Sequence, residues 1–179
     1  MIKTQLTILP LLVFQMFSTV NDFHKDLPVP VKLTEDRGRI EARIALQELN
    51  APKDKLEKLT NGVYAASIAT KIDPVLIASI IPKESQFVVT AQSNLGYQGL
   101  MQTQRAYMKW SLAEADIMAG ALVLKEKFVI AKGDEFWAMT YYKGKGGAES
   151  QAFAKSQLAF YHKIKEKVNK RMKEREENV

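Results

Sequence analysis

The 179-residue chain contains no cysteine and only two histidines, His24 and His162. Without thiols it has no disulfide framework, no thiolate metal site, no cysteine nucleophile and no cysteine to carry a lipid. Two isolated histidines exclude a histidine-rich metal site. No internal repeat or low-complexity tract stands out, and no strand is strongly signalled. The N-terminal apolar run, Leu6 to Phe17, is short for a membrane span of about 20 residues. What is present is 46% hydrophobic residues, which excludes disorder throughout, in a length that suits one domain plus an extension. The net charge is +6 with a pI near 9.4. Lys155 to Val179 supplies four of those charges, with eight Lys or Arg against four Asp or Glu. A basic balance favours anionic surroundings such as a membrane surface, nucleic acid or an acidic polymer, and says nothing about fold. A mixed charge run on a terminal helix reads first as a solvated face, so nucleic acid is not expected as a partner.

Lys3, the apolar run and the polar turn at Ser18-Thr19-Val20 have the layout of a secretory signal over residues 1–20, although Pro10 interrupts the run and no clean small-x-small cleavage site follows. An uncleaved anchor or a buried N-terminal helix is the alternative. Residues 21–52 read as a linker with Pro28 and Pro30, then an accessory helix from Thr34 to Asn50 with Ile40, Ile44 and Leu49 toward one side. A second helix follows from about Pro52 to Lys71, with Leu56, Leu59, Val63, Ala66 and Ile68 facing a core. Beyond residue 102, Thr103 is expected to cap a short helix through Trp110, and Ser111-Leu112-Ala113-Glu114 to form a capping box opening a long helix to Lys132-Gly133. Asp134 caps the next helix, which ends in Tyr141-Tyr142 before a glycine-rich break. The last helix starts near Ser150, with Phe153, Tyr161, Ile164, Val168 and Met172 on one stripe, and becomes a charged tail over residues 166–179. The architecture expected is therefore all-α.

The chemistry concentrates between Glu84 and Gln102. Asp73 is a good N-cap, Pro74 suits the first helical position, and Val75 to Ile81 is apolar on all sides, which marks a buried helix. Glu84 leaves the C-terminal end of that helix, where the dipole is negative and the neighbours are apolar. Both effects disfavour the ionised carboxylate, which is the requirement for a general acid that protonates a leaving group. After Phe87 the chain turns to short polar residues with Gly96 and Gly99, as expected where backbone approaches a ligand or takes positive φ.

Glu84-Ser85, Phe87, Ala91, Ser93, Gly96 and Gly99-Leu100-Met101-Gln102 resemble the signature of the soluble lytic transglycosylase (SLT) domain family, at that family's spacing. Asp116-Ile117 and Gly120-Ala121 are similar, more loosely, to its second segment, and Tyr141 with Gly144 to its third. The resemblance implies a lysozyme-like fold over residues 53–165 and, as substrate and partner, the glycan strand of peptidoglycan. It implies Glu84 as the catalytic residue, with Ser93, Gln102 and Tyr141 as polar contacts, Gly99 in the loop at the substrate, Met101 lining the groove and Phe87 anchoring the loop. Phe87 and Met101 read equally well as core. Tyr142 stands where the family has asparagine, Pro82 falls inside the helix that carries Glu84, and Gln102 lacks the proline that often follows it.

Most glycosidases use two carboxylates, and the matching segments offer only Glu84. The resemblance implies a substrate-assisted route at the β-1,4 bond between N-acetylmuramic acid and N-acetylglucosamine. Glu84 acts first as acid and then as base, and the product is a 1,6-anhydromuramoyl end. No metal or organic cofactor is needed. Lysozyme-type hydrolysis of the same bond is one alternative, and a catalytically weak glycan-binding scaffold of a wall-spanning assembly is another. Export to the periplasm, a setting in wall turnover, secretion, conjugation or phage entry, and peripheral contact with anionic wall polymer or lipid are the accompanying expectations.

Overall fold

The computed structural model describes residues 36–104 and 112–178. The signal-like segment, the linker, Thr34, the helix expected through Trp110 and Ser111 of the capping box lie outside them. Six α-helices are found among the described residues: α1 (Arg37–Glu48), α2 (Leu56–Thr70), α3 (Pro74–Ser85), α4 (Ala113–Ile130), α5 (Glu135–Lys143) and α6 (Ala148–Glu177). Between α3 and α4 lie two short antiparallel strands, β1 (Tyr97–Gln98) and β2 (Thr103–Gln104). Periodicity did not signal them, since two-residue pairings are too short to show alternation. Thr103 is thus part of a strand rather than a helix cap.

The fold is built around α3. Asp73 Oδ1 accepts from Val75 N at 2.7 Å, Pro74 occupies the first turn, and every residue from Val75 to Ile81 is buried. A helix apolar on all sides needs cover on all sides. Helices α1, α2 and α6 supply it, while α4 packs on α2 and α5 packs on both α4 and α6. Gly62 lets α2 and α4 approach, because a Cβ there would meet Ile117 Cδ1 at 2.9 Å and Glu114 Cα at 3.1 Å.

Several stripes differ from the sequence expectation in ways that packing explains. In α2 the buried residues are Leu59, Thr60, Gly62, Val63, Ala66 and Thr70, and Ile68 is 51% exposed. Ile68 falls off the stripe that α4 and α3 cover. The N-cap of α1 is Asp36, whose Oδ1 accepts from Gly38 N at 2.8 Å, and its buried face is Ala42, Ile44, Ala45 and Leu46. Leu112, with no side-chain cap bond, occupies the N-cap position of α4. In α6, Ala154, Gln157, Tyr161, Ile164, Val168 and Met172 are buried, so the helix remains packed well past residue 166. Its cations are matched from α1 and α3: Lys165 to Glu41 (3.1 Å) and Asp73 (2.8 Å), and Lys167 and Arg171 to Glu48 (3.1 and 3.2 Å). Among the described residues no helix is long and apolar enough to cross a membrane.

Candidate active site

Glu84 lies in the last turn of α3. The helix runs through Pro82, whose missing N–H falls only one turn from the end. That turn is tied to α6 by Lys83, whose Nζ donates to Ser156 O (3.1 Å) and Oγ (3.0 Å) and lies 5.1 Å from the centre of the Phe160 ring. It ends at Gln86 and Phe87, two successive left-handed residues with φ of 51° and 64°. Neither is glycine, and such conformations cost on the order of 1 kcal/mol each. The buried Phe87 ring offsets this by holding the turn in the core.

The loop that follows is closed on itself. Ser93 N donates to Tyr97 O (2.9 Å), Tyr97 N donates to Ser93 Oγ (3.1 Å), and Gly96, at φ +81°, completes the turn. Gly99 N donates to Ala91 O (2.9 Å), and Gln102 Nε2 bridges Ala91 O (3.2 Å) and Gly99 O (2.9 Å). Ser93 and Gln102 therefore shape the loop with the same polar groups that the resemblance assigns to substrate. Gly99 is also at φ +81°, and a Cβ there would lie 2.5 Å from Asp116 Oδ2. Asp116 is 1% exposed beneath the loop. Burial pushes its carboxyl up to about 6, against the opposing pull of the Leu100 backbone N–H.

Met101 is buried, as the core reading of it allows, and the missing Cβ of Gly120 on α4 leaves room for its side chain. Its carbonyl accepts from the Tyr142 hydroxyl at 2.8 Å, which fastens the loop to α5. Burial first, and then the charge of Glu84, hold that hydroxyl above the ordinary tyrosine range. The residue that replaces the family's asparagine is thus a partly buried clasp beside Glu84.

A cleft of about 410 Å³ opens between this loop and the end of α5, lined among others by Tyr97, Gln102, Thr103, Tyr141, Tyr142 and Lys143. Tyr141 stacks on Trp137, with ring centres 5.8 Å apart. The group that reaches Glu84 from this wall is Lys143, whose Nζ donates to Oε1 at 3.2 Å and Oε2 at 3.3 Å. Sequence reasoning did not name it. The signal was available in the phase of α5: Ala138 and Met139 are buried, so positions 142 and 143, one turn later, face the same way. A lysine at the edge of a buried stripe is placed to meet a carboxylate. Which one it meets is a matter of how α5 lies against α3. Among the described residues, no group of three or more His, Asp or Glu could hold a metal ion.

The model of the family described as the Transglycosylase SLT domain matches residues 63–164, more than half of the chain. The chain belongs to this family. Comparison with curated proteins and with solved structures returns no match. The matched SLT region runs from within α2 to Ile164 in α6 and contains Glu84, the glycine loop and the cleft wall of α5. Its helical fold is that of the lysozyme-like SLT domains, a class of lytic transglycosylases whose substrate is the glycan strand of peptidoglycan.

Proposed function

We propose that the protein cleaves the β-1,4 bond between N-acetylmuramic acid and N-acetylglucosamine, with Glu84 as the single acid and base and a 1,6-anhydromuramoyl end as product. The observation that carries this reading is the placement of Glu84. Its side chain is 8% exposed, and it is bonded to Lys143 on the wall of a cleft that the glycine loop also lines. Glu126, also on that wall, is largely solvated and paired with Lys127 at 2.9 Å, which suits a route needing one working carboxylate.

In the first step protonated Glu84 gives its proton to the glycosidic oxygen as the anomeric C–O bond breaks, and the muramoyl acetamido oxygen stabilises or attacks the anomeric carbon. In the second, the Glu84 carboxylate removes the proton of the C6 hydroxyl, whose oxygen closes on the anomeric carbon. The acid is regenerated and no water enters the product.

The test is mass spectrometry of soluble products released from peptidoglycan by the protein and by Glu84→Gln. Muropeptides one water lighter than hydrolysis products, with turnover reduced about 10²–10⁴-fold in the variant, are expected. Reducing-end products dependent on Glu84 would assign a hydrolase instead, and binding without turnover would assign the scaffold. Residues 1–20 are proposed as an export signal preceding a catalytic region at 53–165. Secreted or periplasmic protein should lack them, and an intact Met1 in that material would refute cleavage.

A further inference from the structure

The ammonium of Lys143 is shared between the two oxygens of Glu84 and the face of Phe153, whose ring centre lies 4.8 Å away. The two partners of the ion pair are unequally accessible. The side chain of Glu84 is almost enclosed, whereas that of Lys143 is 42% exposed and lies on the cleft wall with Lys127 and Lys145. A ligand entering the cleft therefore meets the ammonium before the carboxylate. A carboxylate engaged in an ion pair has no proton to give, so the pair must open before the acid step of the proposed reaction.

Opening it against nothing is unfavourable, because an enclosed carboxylate would lose its charge-assisted hydrogen bonds. A neutral ligand offers the ammonium no replacement. An anionic one does, and the flexible stem of a lysine can carry the ammonium from Glu84 to it. In glycan strands stripped of stem peptide the muramoyl lactyl carboxylate is free and supplies such an anion, whereas in peptide-bearing strands it is an amide.

We infer that Lys143 determines specificity: its ammonium clamps Glu84 in the empty cleft and passes to a muramoyl carboxylate when an anionic glycan is seated, freeing Glu84 to act. The exchange balances. One ammonium–carboxylate pair is replaced by another, and Glu84 takes one proton from solvent to become the acid. This inference rests on the function proposed above.

The experiment uses peptide-free glycan strands in two forms, with muramoyl carboxylates free or converted to methylamides. The wild-type protein should prefer the free-acid strands by about tenfold or more in kcat/KM, the scale of one hydrogen bond between charged groups. Lys143→Met should abolish the preference, raising KM for the acid strands and raising turnover of the amides, and Lys143→Arg should restore part of it. Equal discrimination by wild type and Lys143→Met, or an equal slowing on both strands, would overturn the inference and leave the proposed reaction standing. Cleavage of peptide-bearing peptidoglycan but of neither stripped strand would overturn the inference alone, and cleavage of none of the three would remove the proposed reaction with it. A binding measurement covers a poorly folded Lys143→Met: Glu84→Gln, with the native lysine, should bind the acid strands several-fold more tightly than the amides. Equal affinities there would overturn the inference.

Discussion

Asp116 is a residue whose surroundings and chemistry disagree. It is a carboxyl shut under the Gly99 loop, and burial raises it from 3.8 to about 6. The folded state therefore holds a proton that the unfolded chain has already released between those values. The contribution of Asp116 to stability is greatest below about pH 4, falls as pH rises toward 6, and levels off above it. The loss by pH 7 is on the order of 3 kcal/mol for a shift of roughly two units. Asp116→Asn, which cannot ionise, should be the more stable protein at pH 7.5 and should have a flatter stability profile between pH 4.5 and 7.5. Urea melts at the two pH values measure this, and parallel profiles for both proteins would count against a buried protonated carboxyl. The same residue shows why glycine was readable at position 99 and its reason was not. The positive φ of a loop glycine is a local property, but the carboxyl occupying its Cβ space comes from another helix.

At the scale of elements, the loop between α3 and α4 works because three neighbours hold it. Phe87 anchors its start, Tyr142 of α5 bonds Met101 O, and Gly120 of α4 admits the Met101 side chain. A Cβ at position 120 would run into Met101 Cβ and lie 2.7 Å from its sulfur. Gly120→Ala should gain about 1 kcal/mol of helix propensity and lose about 1–3 kcal/mol to overpacking, for a net loss of stability. Because the displaced residue carries the loop, turnover should fall more than stability alone predicts. Comparing kcat with the melting temperature tests this, and unchanged kcat in a folded Gly120→Ala protein would detach the loop from catalysis. The sequence motif named Met101 and Gly120 separately. Their contact depends on α4 crossing under the loop, which no spacing within either segment encodes.

For the whole molecule, α6 closes the fold by packing on α1, α3 and α5. Its basic residues Lys165, Lys167 and Arg171 are bonded to Glu41, Asp73 and Glu48, so much of the charge expected to face an outside polymer is matched inside the chain. Such partly exposed pairs contribute little each. Burial of Val168 and Met172 contributes more, and Met172→Ala should cost about 2–4 kcal/mol. Ending the chain before residue 167 should destabilise it further and expose α1 to limited proteolysis. An unchanged urea melt for the shortened chain would make residues 167–179 the solvated tail that their composition suggests.

The sequence by itself determined what short-range physics controls. Asp73-Pro74 starts an apolar helix, Asp134 caps another, Glu84 stands at the end of the first beside a glycine loop, and the spacing of that loop marks the family. Only the tertiary structure decided which side chains meet across the chain. Lys143 reaches Glu84 from 59 residues away, Asp116 sits beneath Gly99, Met101 turns inward and Ile68 outward. Periodicity says that a helix has a buried stripe. Which stripe is covered, and which charge faces which, follows from how helices distant in sequence pack around α3.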